Sequence, residues 1–365
     1  MEINNLTFIV TDDCNFNCSY CFQEKEKKTI DNQTIERTVD FFYPYLKNNG
    51  DIYINFYGGE PLLAFDKIKY ALRLFQEKNK NENKQLKFCL TTNGSLLTEK
   101  MLDFFNDNNF DLLLSFDGLA QEKGRKSFTL PQMVELIKKI QAYTHIHFEI
   151  NSVFSPQTVN LFPESMRFIL KQGEPVVTFN IVTTEEWKAE QLETLKDELG
   201  QFTDFMAQYY KDKGTMPVSN FRSAVEKETK KKGIFQCGAG RNRMAVTPEG
   251  KLWGCFLFHD YFKTRADGPE YPAYCFGNLT DFIADYDTHY PEILSNYAEL
   301  RQDLFQVEED FCFLCEEIQG CGICPINAAY TSGSLGKISR CKCELEKIQS
   351  AALRNLRQKI CGNTT

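Results

Sequence analysis

The chain has 365 residues, which exceeds the roughly 250–300 residues that one hydrophobic core usually serves, so we expect one large domain and a smaller one. Hydrophobic residues make up 42% and charged residues 25%, a composition that excludes a wholly disordered chain. No apolar run approaches the ~18 residues of a membrane span, and a net charge of −8 argues against a general nucleic-acid-binding protein.

Six short segments rich in β-branched and aromatic residues alternate with segments whose apolar residues recur at helical spacing. The predicted strands are Leu6–Thr11, Ile52–Tyr57, Leu86–Thr91, Phe110–Phe116, Ile146–Val153 and Val176–Val182. Six β/α repeats with short turns predict an α/β protein with a parallel sheet, either doubly wound or barrel-like. In both architectures ligands bind at the carboxyl ends of the strands, where Gly58-Gly59, Asn93-Gly94 and Asp117-Gly118 stand.

The second half of the chain begins with a long amphipathic helix predicted over Glu185–Lys211. The charged stretch Glu226–Lys232 indicates a solvated linker after it. We therefore predict a core domain over residues 1–215, a linker over 216–233 and a cysteine-rich domain over 234–361.

The 14 cysteines make up about 4% of the chain, below the ~8–10% of disulfide scaffolds. Residues 1–5 show no secretory signal, so a cytoplasmic location is expected, where cysteines more often bind metal or take part in chemistry. One group, Cys14, Cys18 and Cys21, follows the first predicted strand. The second group lies far along the chain and contains Cys237, Cys255, Cys275, Cys312, Cys315, Cys321, Cys324, Cys341 and Cys343.

This distribution predicts two separate metal-bearing regions. Two cysteines stand apart from both groups: Cys89 is expected to be a core residue, and Cys361 to be incidental.

Three thiolates in one short loop can bind the same inorganic core. A cubane iron–sulfur cluster normally takes four thiolates, so three local ones leave one iron open for another ligand. The alternative is a zinc knuckle or unconnected core cysteines, although zinc sites prefer paired C-x₂-C hooks and a complete tetrahedron. The spacing therefore favours an iron–sulfur cluster.

The C-x₃-C-x-aromatic-C loop, with Tyr20 as the aromatic residue, resembles the signature of the radical S-adenosylmethionine (SAM) enzymes. The resemblance extends to three motifs after the second, third and fourth predicted strands: Tyr57-Gly58-Gly59-Glu60-Pro61, Thr92-Asn93-Gly94 and Ser115-Phe116-Asp117-Gly118. It implies a partial (β/α)₆ TIM barrel that binds a [4Fe–4S] cluster and SAM. In such enzymes one electron from the cluster cleaves SAM to methionine and a 5′-deoxyadenosyl radical, which abstracts a substrate hydrogen.

The resemblance also implies which residues bind SAM. The motif of Gly58, Gly59 and Glu60 holds the SAM amino group, since glycines allow close backbone approach and a carboxylate pairs with an ammonium group. Arg125 reaches the SAM carboxylate as a bidentate donor. The predicted cofactor-binding set also includes residues near the ribose, the methionine group and the adenosine of SAM. These are Tyr20, Asn93, Ser115, Asp117, Val153 and Val182. No general base is identified.

The second cysteine group resembles the SPASM domain, a small cysteine-rich domain that binds two auxiliary [4Fe–4S] clusters. The segments Met244–Gly250 and Phe276–Leu279 match its hairpin and its GN segment. The resemblance assigns Cys237, Cys255 and Cys324 to the first auxiliary cluster. It assigns Cys312, Cys315, Cys321 and either Cys341 or Cys343 to the second, with Cys343 favoured because it opens a helix in the family's manner.

The chain departs from the SPASM pattern at two places. Cys321 and Cys324 are spaced C-x₂-C where C-x₃-C is usual. Arg243 stands where some relatives have an additional cysteine, so either one iron is open or Cys275 or Cys341 completes the cluster.

SPASM-containing radical SAM enzymes modify peptide or protein side chains, so we expect a peptide maturase that forms thioether or carbon–carbon crosslinks. The alternative is sulfatase maturation, the oxidation of serine or cysteine to formylglycine; relatives in that group carry an aspartate where Phe256 stands. A zinc-stabilised binding module without catalysis would not account for the strand-end motifs.

The expected partners are a precursor peptide or protein substrate and an electron donor such as flavodoxin or ferredoxin. Because the first predicted strand begins near Leu6, leader recognition is expected from a separate leader-binding protein or another surface. Neither nucleic acid nor a membrane is an expected partner.

Overall fold

The computed structural model describes residues 1–226 and 233–362. Its central sheet contains six parallel strands: β1 (Asn5–Thr11), β2 (Ile52–Gly58), β3 (Leu86–Thr92), β4 (Asp111–Ser115), β5 (His147–Phe154) and β6 (Val176–Ile181). Each agrees with its predicted strand to within one residue at either end. The agreement is close because these strands are continuous runs of β-branched and aromatic residues, typical of parallel sheets covered by helices.

The order of these strands in the sheet is β6-β5-β4-β3-β2-β1, so every strand neighbours the next one along the chain. A doubly wound sheet would reverse its strand order at a switch point. The unbroken strand order therefore indicates the barrel-like architecture and not the doubly wound one. Because β6 occupies an edge of the sheet and does not pair with β1, the barrel is open, and the predicted partial barrel is confirmed.

The outer face of the sheet is covered by helices, and in the longer ones the apolar residues recur every three or four positions. These helices are α1 (Asn32–Phe42), α2 (Phe65–Asn79), α3 (Glu99–Asp107), α4 (Gln121–Gly124), α5 (Leu130–Gln141), α6 (Phe162–Leu170) and α7 (Ala189–Lys213). Helix α7 begins four residues later than predicted. Trp187 is buried, and its indole N–H donates to the Val182 carbonyl at 2.8 Å. The next residue, Lys188, has an extended backbone, so the helix begins only after it.

The cysteine-rich region continues the same sheet. Strand β7 (Arg243–Val246) pairs in parallel with β1, from Asn5 opposite Arg243 to Phe8 opposite Val246. Strands β8 (Lys251–Trp253) and β9 (Cys275–Asn278) then add antiparallel pairs, which makes the sheet nine-stranded.

The remaining elements surround this extension. The helices are α8 (Arg222–Val225), α9 (Phe256–Phe262), α10 (Tyr271–Tyr274), α11 (Leu279–Ala284), α12 (Tyr286–Ala298), α13 (Pro325–Ser332) and α14 (Arg340–Cys361). A separate three-stranded sheet contains β10 (Gln306–Val307), β11 (Asp310–Phe311) and β12 (Lys337–Ile338).

The predicted domain boundaries fall between α7 and β7. Helix α8 lies within the predicted linker, whereas residues 227–232 of that linker lie outside the described residues. Helix α14 packs along α7, so the cysteine-rich region contacts the core through a helix pair as well as through the sheet. Among the helices of the described residues, none combines the length and the apolar composition that a bilayer span requires.

Candidate active site

The loop after β1 holds Cys14, Cys18 and Cys21 as free thiols. Its backbone is fixed from several sides: the Asp13 carboxylate accepts the Cys14 N–H at 2.9 Å, and the Ser19 N–H donates to the Gly124 carbonyl at 2.8 Å. Burial raises the pKa of Cys14 and of Cys18. Binding to iron would instead hold these sulfurs as thiolates, because a coordinating thiol is deprotonated.

Gly58 and Gly59, at the end of β2, lie directly against this cysteine loop. A Cβ on Gly59 would stand 2.2 Å from the Asp13 carbonyl oxygen and 2.9 Å from the Cβ of Cys14. Gly58 has a φ of +150°, and a Cβ there would stand 2.0 Å from the Thr11 carbonyl oxygen. The sequence motif predicts that these glycines let the backbone approach a ligand closely. The structure shows that they also allow two segments of the protein backbone to meet.

Glu60 follows these glycines and is 1% exposed. Its Oε1 accepts hydrogen bonds from the Thr92 hydroxyl at 2.7 Å and the Leu62 N–H at 3.1 Å, and its Oε2 accepts one from the Asn93 N–H at 2.8 Å. Burial raises the pKa of Glu60, and these hydrogen bonds oppose the rise. Because a carboxylate has about four acceptor positions, Glu60 retains capacity for an ammonium group.

Asp117 connects two predicted SAM-binding side chains. Arg125 donates to both of its oxygens, from Nε at 3.0 Å and from Nη2 at 2.9 Å, and the Tyr20 hydroxyl donates at 2.6 Å. The Val153 N–H adds a fourth hydrogen bond at 2.8 Å. Burial alone would lower the pKa of Arg125, but the Asp117 carboxylate raises it. Asp117 does not line the cavity described next, so we expect it to position Arg125 and Tyr20.

A cavity of about 550 Å³ lies at the carboxyl ends of the strands and extends along the inner face of the sheet. It is lined by Cys14, Cys18 and Cys21 and by nine predicted cofactor-binding residues: Tyr20, Gly58, Gly59, Glu60, Asn93, Ser115, Arg125, Val153 and Val182. The cysteine-rich region contributes Phe256, Leu257 and Asn327. The fold thus brings the strand-end motifs together, while their contacts with SAM stay predictions.

The polar side chains in the deeper part of this cavity belong to no sequence motif. They lie on the inner faces of β3, β5 and β6 and are Thr91, Glu149, Asn151, Thr178 and Asn180. The Asn180 side-chain amide donates to Asn151 Oδ1 at 2.6 Å. In the sequence, these polar residues alternate with apolar ones along strands whose other residues are typical of a buried sheet. This alternation is the feature that indicates them.

Helix α9 contacts the cysteine loop from the other domain. Asp12, just before the loop, is paired with His259 Nε2 at 3.3 Å and with Lys263 Nζ at 2.7 Å. Burial tends to raise the pKa of Asp12, but hydrogen bonds to His259 and Lys263 lower it below its usual value. On the same helix Asp260 accepts from the Gln23 side-chain amide at 3.2 Å, and burial raises the pKa of Asp260 to about 7. No sequence motif indicated these contacts.

The first predicted auxiliary set, Cys237, Cys255 and Cys324, is grouped in the structure. Burial, together with the neighbouring thiols of Cys324 and Cys237, raises the pKa of Cys255 to about 12, and the adjacent Arg243 opposes this. Among the described residues no three His, Cys, Asp or Glu side chains are placed to hold a single metal ion. Mononuclear zinc requires such convergence, whereas a cubane cluster is larger and binds sulfurs that stand further apart.

The second predicted auxiliary set is grouped around Cys343. Burial raises the pKa of Cys312, and the neighbouring thiols of Cys343 and Cys315 contribute to the rise. Cys321 is half-buried; burial raises its pKa to about 12, and the Glu346 carboxylate and the thiols of Cys312 and Cys343 add to the rise. These four thiols are sufficient in number for a complete [4Fe–4S] cluster.

Cys275 and Cys341 face away from both sets. Cys275 Sγ accepts the Gly277 N–H at 3.4 Å and lies 3.8 Å from the Tyr271 hydroxyl. Cys341 Sγ accepts the N–H of Trp187, on the core domain, at 3.3 Å. This placement favours Cys343 over Cys341 in the second cluster and favours an open iron in the first.

The family model of the radical SAM superfamily matches residues 8–197, just over half of the chain. The chain is a radical SAM enzyme. Radical SAM enzymes bind a [4Fe–4S] cluster and SAM, and the residues described above fit both groups: three free thiols in one loop, and a buried acceptor and a positioned arginine on the adjoining cavity wall.

This radical SAM enzyme is similar to proteins with several activities. The radical SAM cyclopropyl synthase TigE of Paramaledivibacter caminithermalis is 22% identical over an alignment of 373 positions. The alignment covers 95% of this chain and 73% of TigE. The serine-type anaerobic sulfatase-maturating enzyme of Bacteroides thetaiotaomicron is 27% identical over 144 residues, 34% of each chain. The structure of native anSMEcpe with bound AdoMet and Cp18Cys peptide shares the fold, with a TM-score of 0.73 at 20% identity over 99% of this chain and all of that one (100%).

Replacement of Glu60 by glutamine tests the predicted contact with the SAM amino group. Loss of a charged hydrogen-bond partner costs about 1.5–3 kcal/mol, so we expect the Kd for SAM to rise about 10–150-fold. Calorimetric titration of the anaerobic holoenzyme measures the affinity, with Glu2→Gln, an exposed position, as the control. An unchanged SAM affinity with intact clusters would contradict the role of Glu60.

Replacement of single cysteines tests the auxiliary ligand sets of this radical SAM enzyme. We expect Cys343→Ser to lower the iron content by about a third, since one of three cubane clusters loses a ligand. Cys341→Ser and Cys275→Ser should leave iron, sulfide and the Mössbauer spectrum unchanged, because both sulfurs face away from the two sets. Iron loss in either control would assign that cysteine as a ligand and close the open position.

Proposed function

We propose that this radical SAM enzyme modifies a residue of a ribosomally made peptide and forms a thioether or carbon–carbon crosslink. The observation that carries the proposal is the lining of the cavity. The cysteine loop and the strand-end motifs share one cavity with the inner face of the sheet and with Phe256, Leu257 and Asn327 of the cysteine-rich region. A peptide side chain entering between the two domains would therefore lie beside the predicted SAM site.

Reductive cleavage of SAM supplies a radical that abstracts a hydrogen atom from the substrate. The protein's own contribution is positional. Asp117 holds Arg125 for the SAM carboxylate, and the backbone contact of Gly59 with Asp13 fixes the cysteine loop against β2. The rings of Tyr57 and Phe256, with centroids 4.1 Å apart, form an apolar wall of the cavity that excludes water.

The relatives support a peptide substrate. The anSMEcpe structure holds a Cp18Cys peptide together with AdoMet, and it has the same fold as this chain. TigE, which matches almost the whole chain, is named a cyclopropyl synthase, so carbon–carbon bond formation occurs among the relatives.

The test is an anaerobic reaction of the reconstituted enzyme with short peptides encoded beside its gene, with SAM and dithionite. We expect the loss of two hydrogens per crosslink by mass spectrometry, matched by 5′-deoxyadenosine. A variant lacking Cys14, Cys18 and Cys21 is the control for background chemistry. Formation of 5′-deoxyadenosine without change in any of these peptides would count against the proposal.

Sulfatase maturation is the second candidate, favoured by the match to a sulfatase-maturating enzyme. The position where that group carries an aspartate holds Phe256, which packs on Tyr57. Asp260, one turn later, is occupied with Gln23 and does not line the cavity. We therefore expect no formylglycine when a sulfatase-motif peptide is offered, and its appearance would reverse the order of the two candidates.

A further inference from the structure

Glu149 lies in the deep part of the cavity, on the inner face of β5. It stands in register with Leu113 of β4 and Val176 of β6. Val153, predicted to line the adenosine, is four residues further along the same strand, which is about 13 Å at ~3.3 Å per residue. Glu149 therefore faces whatever occupies the cavity below the cofactor.

The other charged side chains of the cavity wall already have partners. Glu60 accepts three hydrogen bonds, and Arg125 is paired with Asp117. Lys25 donates to the Phe16 carbonyl and to the side chain of Asn17. The Glu149 side chain, by contrast, makes no hydrogen bond and no ion pair within residues 1–226 and 233–362.

Among the described residues that line the cavity, the two basic side chains, Lys25 and Arg125, already have partners, so neither is free to neutralise Glu149. Leu113 and Thr178 are uncharged, and Asn151 and Asn180 hydrogen-bond to each other. His147, two residues earlier on β5, is hydrogen-bonded to the Asp111 carboxylate, with Nδ1 and Oδ1 2.7 Å apart. A carboxylate that loses water without gaining a partner is costly, so we expect a substrate that covers Glu149 to supply the complementary charge.

We propose that Glu149 binds a cationic side chain of the peptide substrate, a lysine or an arginine. The ammonium or guanidinium group would form a charge-assisted hydrogen bond with the carboxylate, and the aliphatic stem would lie against Leu113. This inference rests on the proposed function, because it specifies which kind of peptide residue enters the cavity.

Two small probes test the proposal on the anaerobic holoenzyme. N-acetyl-lysine N-methylamide carries the cation, and N-acetyl-norleucine N-methylamide has a similar length without charge. We expect the wild type to bind the lysine probe at least about fivefold more tightly in ligand-observed NMR, since charge-assisted hydrogen bonds exceed neutral ones. Glu149→Gln should abolish this preference, whereas Glu2→Gln should retain it. Equal binding of the two probes by the wild type, or no binding of the lysine probe, overturns the proposal.

A further measurement keeps the proposal testable if Glu149→Gln fails to fold, as judged by iron content and circular dichroism. In the wild type, added salt should weaken binding of the lysine probe and leave the norleucine probe unaffected. A salt-independent preference would contradict the ion pair. Modification of peptides that lack lysine and arginine would overturn this inference alone, whereas a cation preference without any peptide modification would overturn the proposed function.

Discussion

Replacing Cys14, Cys18 and Cys21 together with alanine is expected to abolish SAM cleavage while the auxiliary iron remains bound. The three sulfurs are the candidate ligands of the SAM-binding cluster, and they share one loop after β1. The auxiliary cysteines belong to a different region. They form two groups, one around Cys255 and one around Cys343. The two kinds of cluster should therefore be lost independently.

Two quantities measure this outcome. Iron per chain should fall by about a third, because one of three cubane clusters is lost. Formation of 5′-deoxyadenosine under dithionite should fall below detection. Cys361→Ala is the matched control, since Cys361 is exposed and belongs to neither set, and it should leave both quantities unchanged. Retained SAM cleavage in the triple variant would refute the assignment of the cluster loop.

The Gly59→Ala variant is expected to lose most of its SAM cleavage because the methyl group displaces the cysteine loop. The new Cβ would overlap the Asp13 carbonyl and contact Cys14, so the cysteine loop must move away from β2. A displacement of about 1 Å in a catalytic arrangement can cost about 100-fold in rate. We therefore expect at least this loss in the rate of 5′-deoxyadenosine formation.

Gly200→Ala provides the control for Gly59→Ala. Gly200 lies inside α7, and a Cβ there would meet no atom within 4 Å. Alanine favours a helix over glycine by up to about 1 kcal/mol, so this variant should be as active as the wild type and slightly more stable. If Gly59→Ala keeps full activity and its cluster spectrum, the close contact does not hold the loop.

The strands and the strand-end motifs were predictable because their signals are local. A run such as Ile52–Tyr57 carries its strand preference within itself, and Glu60 follows it in the chain. The choice between a doubly wound sheet and an open barrel was not predictable in this way. It depends on which strands pair, and pairing of β1 with β7 joins Asn5 to Arg243, residues that lie far apart in the chain.

The roles of single side chains were less predictable than their location. Asp117 is predicted to lie near the cofactor, and the structure shows in addition that it accepts two hydrogen bonds from Arg125. The contact of Asp12 with Lys263 depends on how α9 docks, which no spacing in the sequence reveals. Glu149 was overlooked because a lone carboxylate on a strand has no motif; only the cavity and the partners of its neighbours distinguish it.

The pairing of β1 with β7 has a consequence for biosynthesis. Residues Asn5–Phe8 leave the ribosome before their partners Arg243–Val246, which follow on the order of 10–50 s later at ~5–20 residues per second. Until then the nascent chain presents one unpaired edge of an apolar strand, which is a template for association with other chains. A fragment that ends in the predicted linker keeps that edge permanently. The cysteine-rich region thus closes the flank of β1.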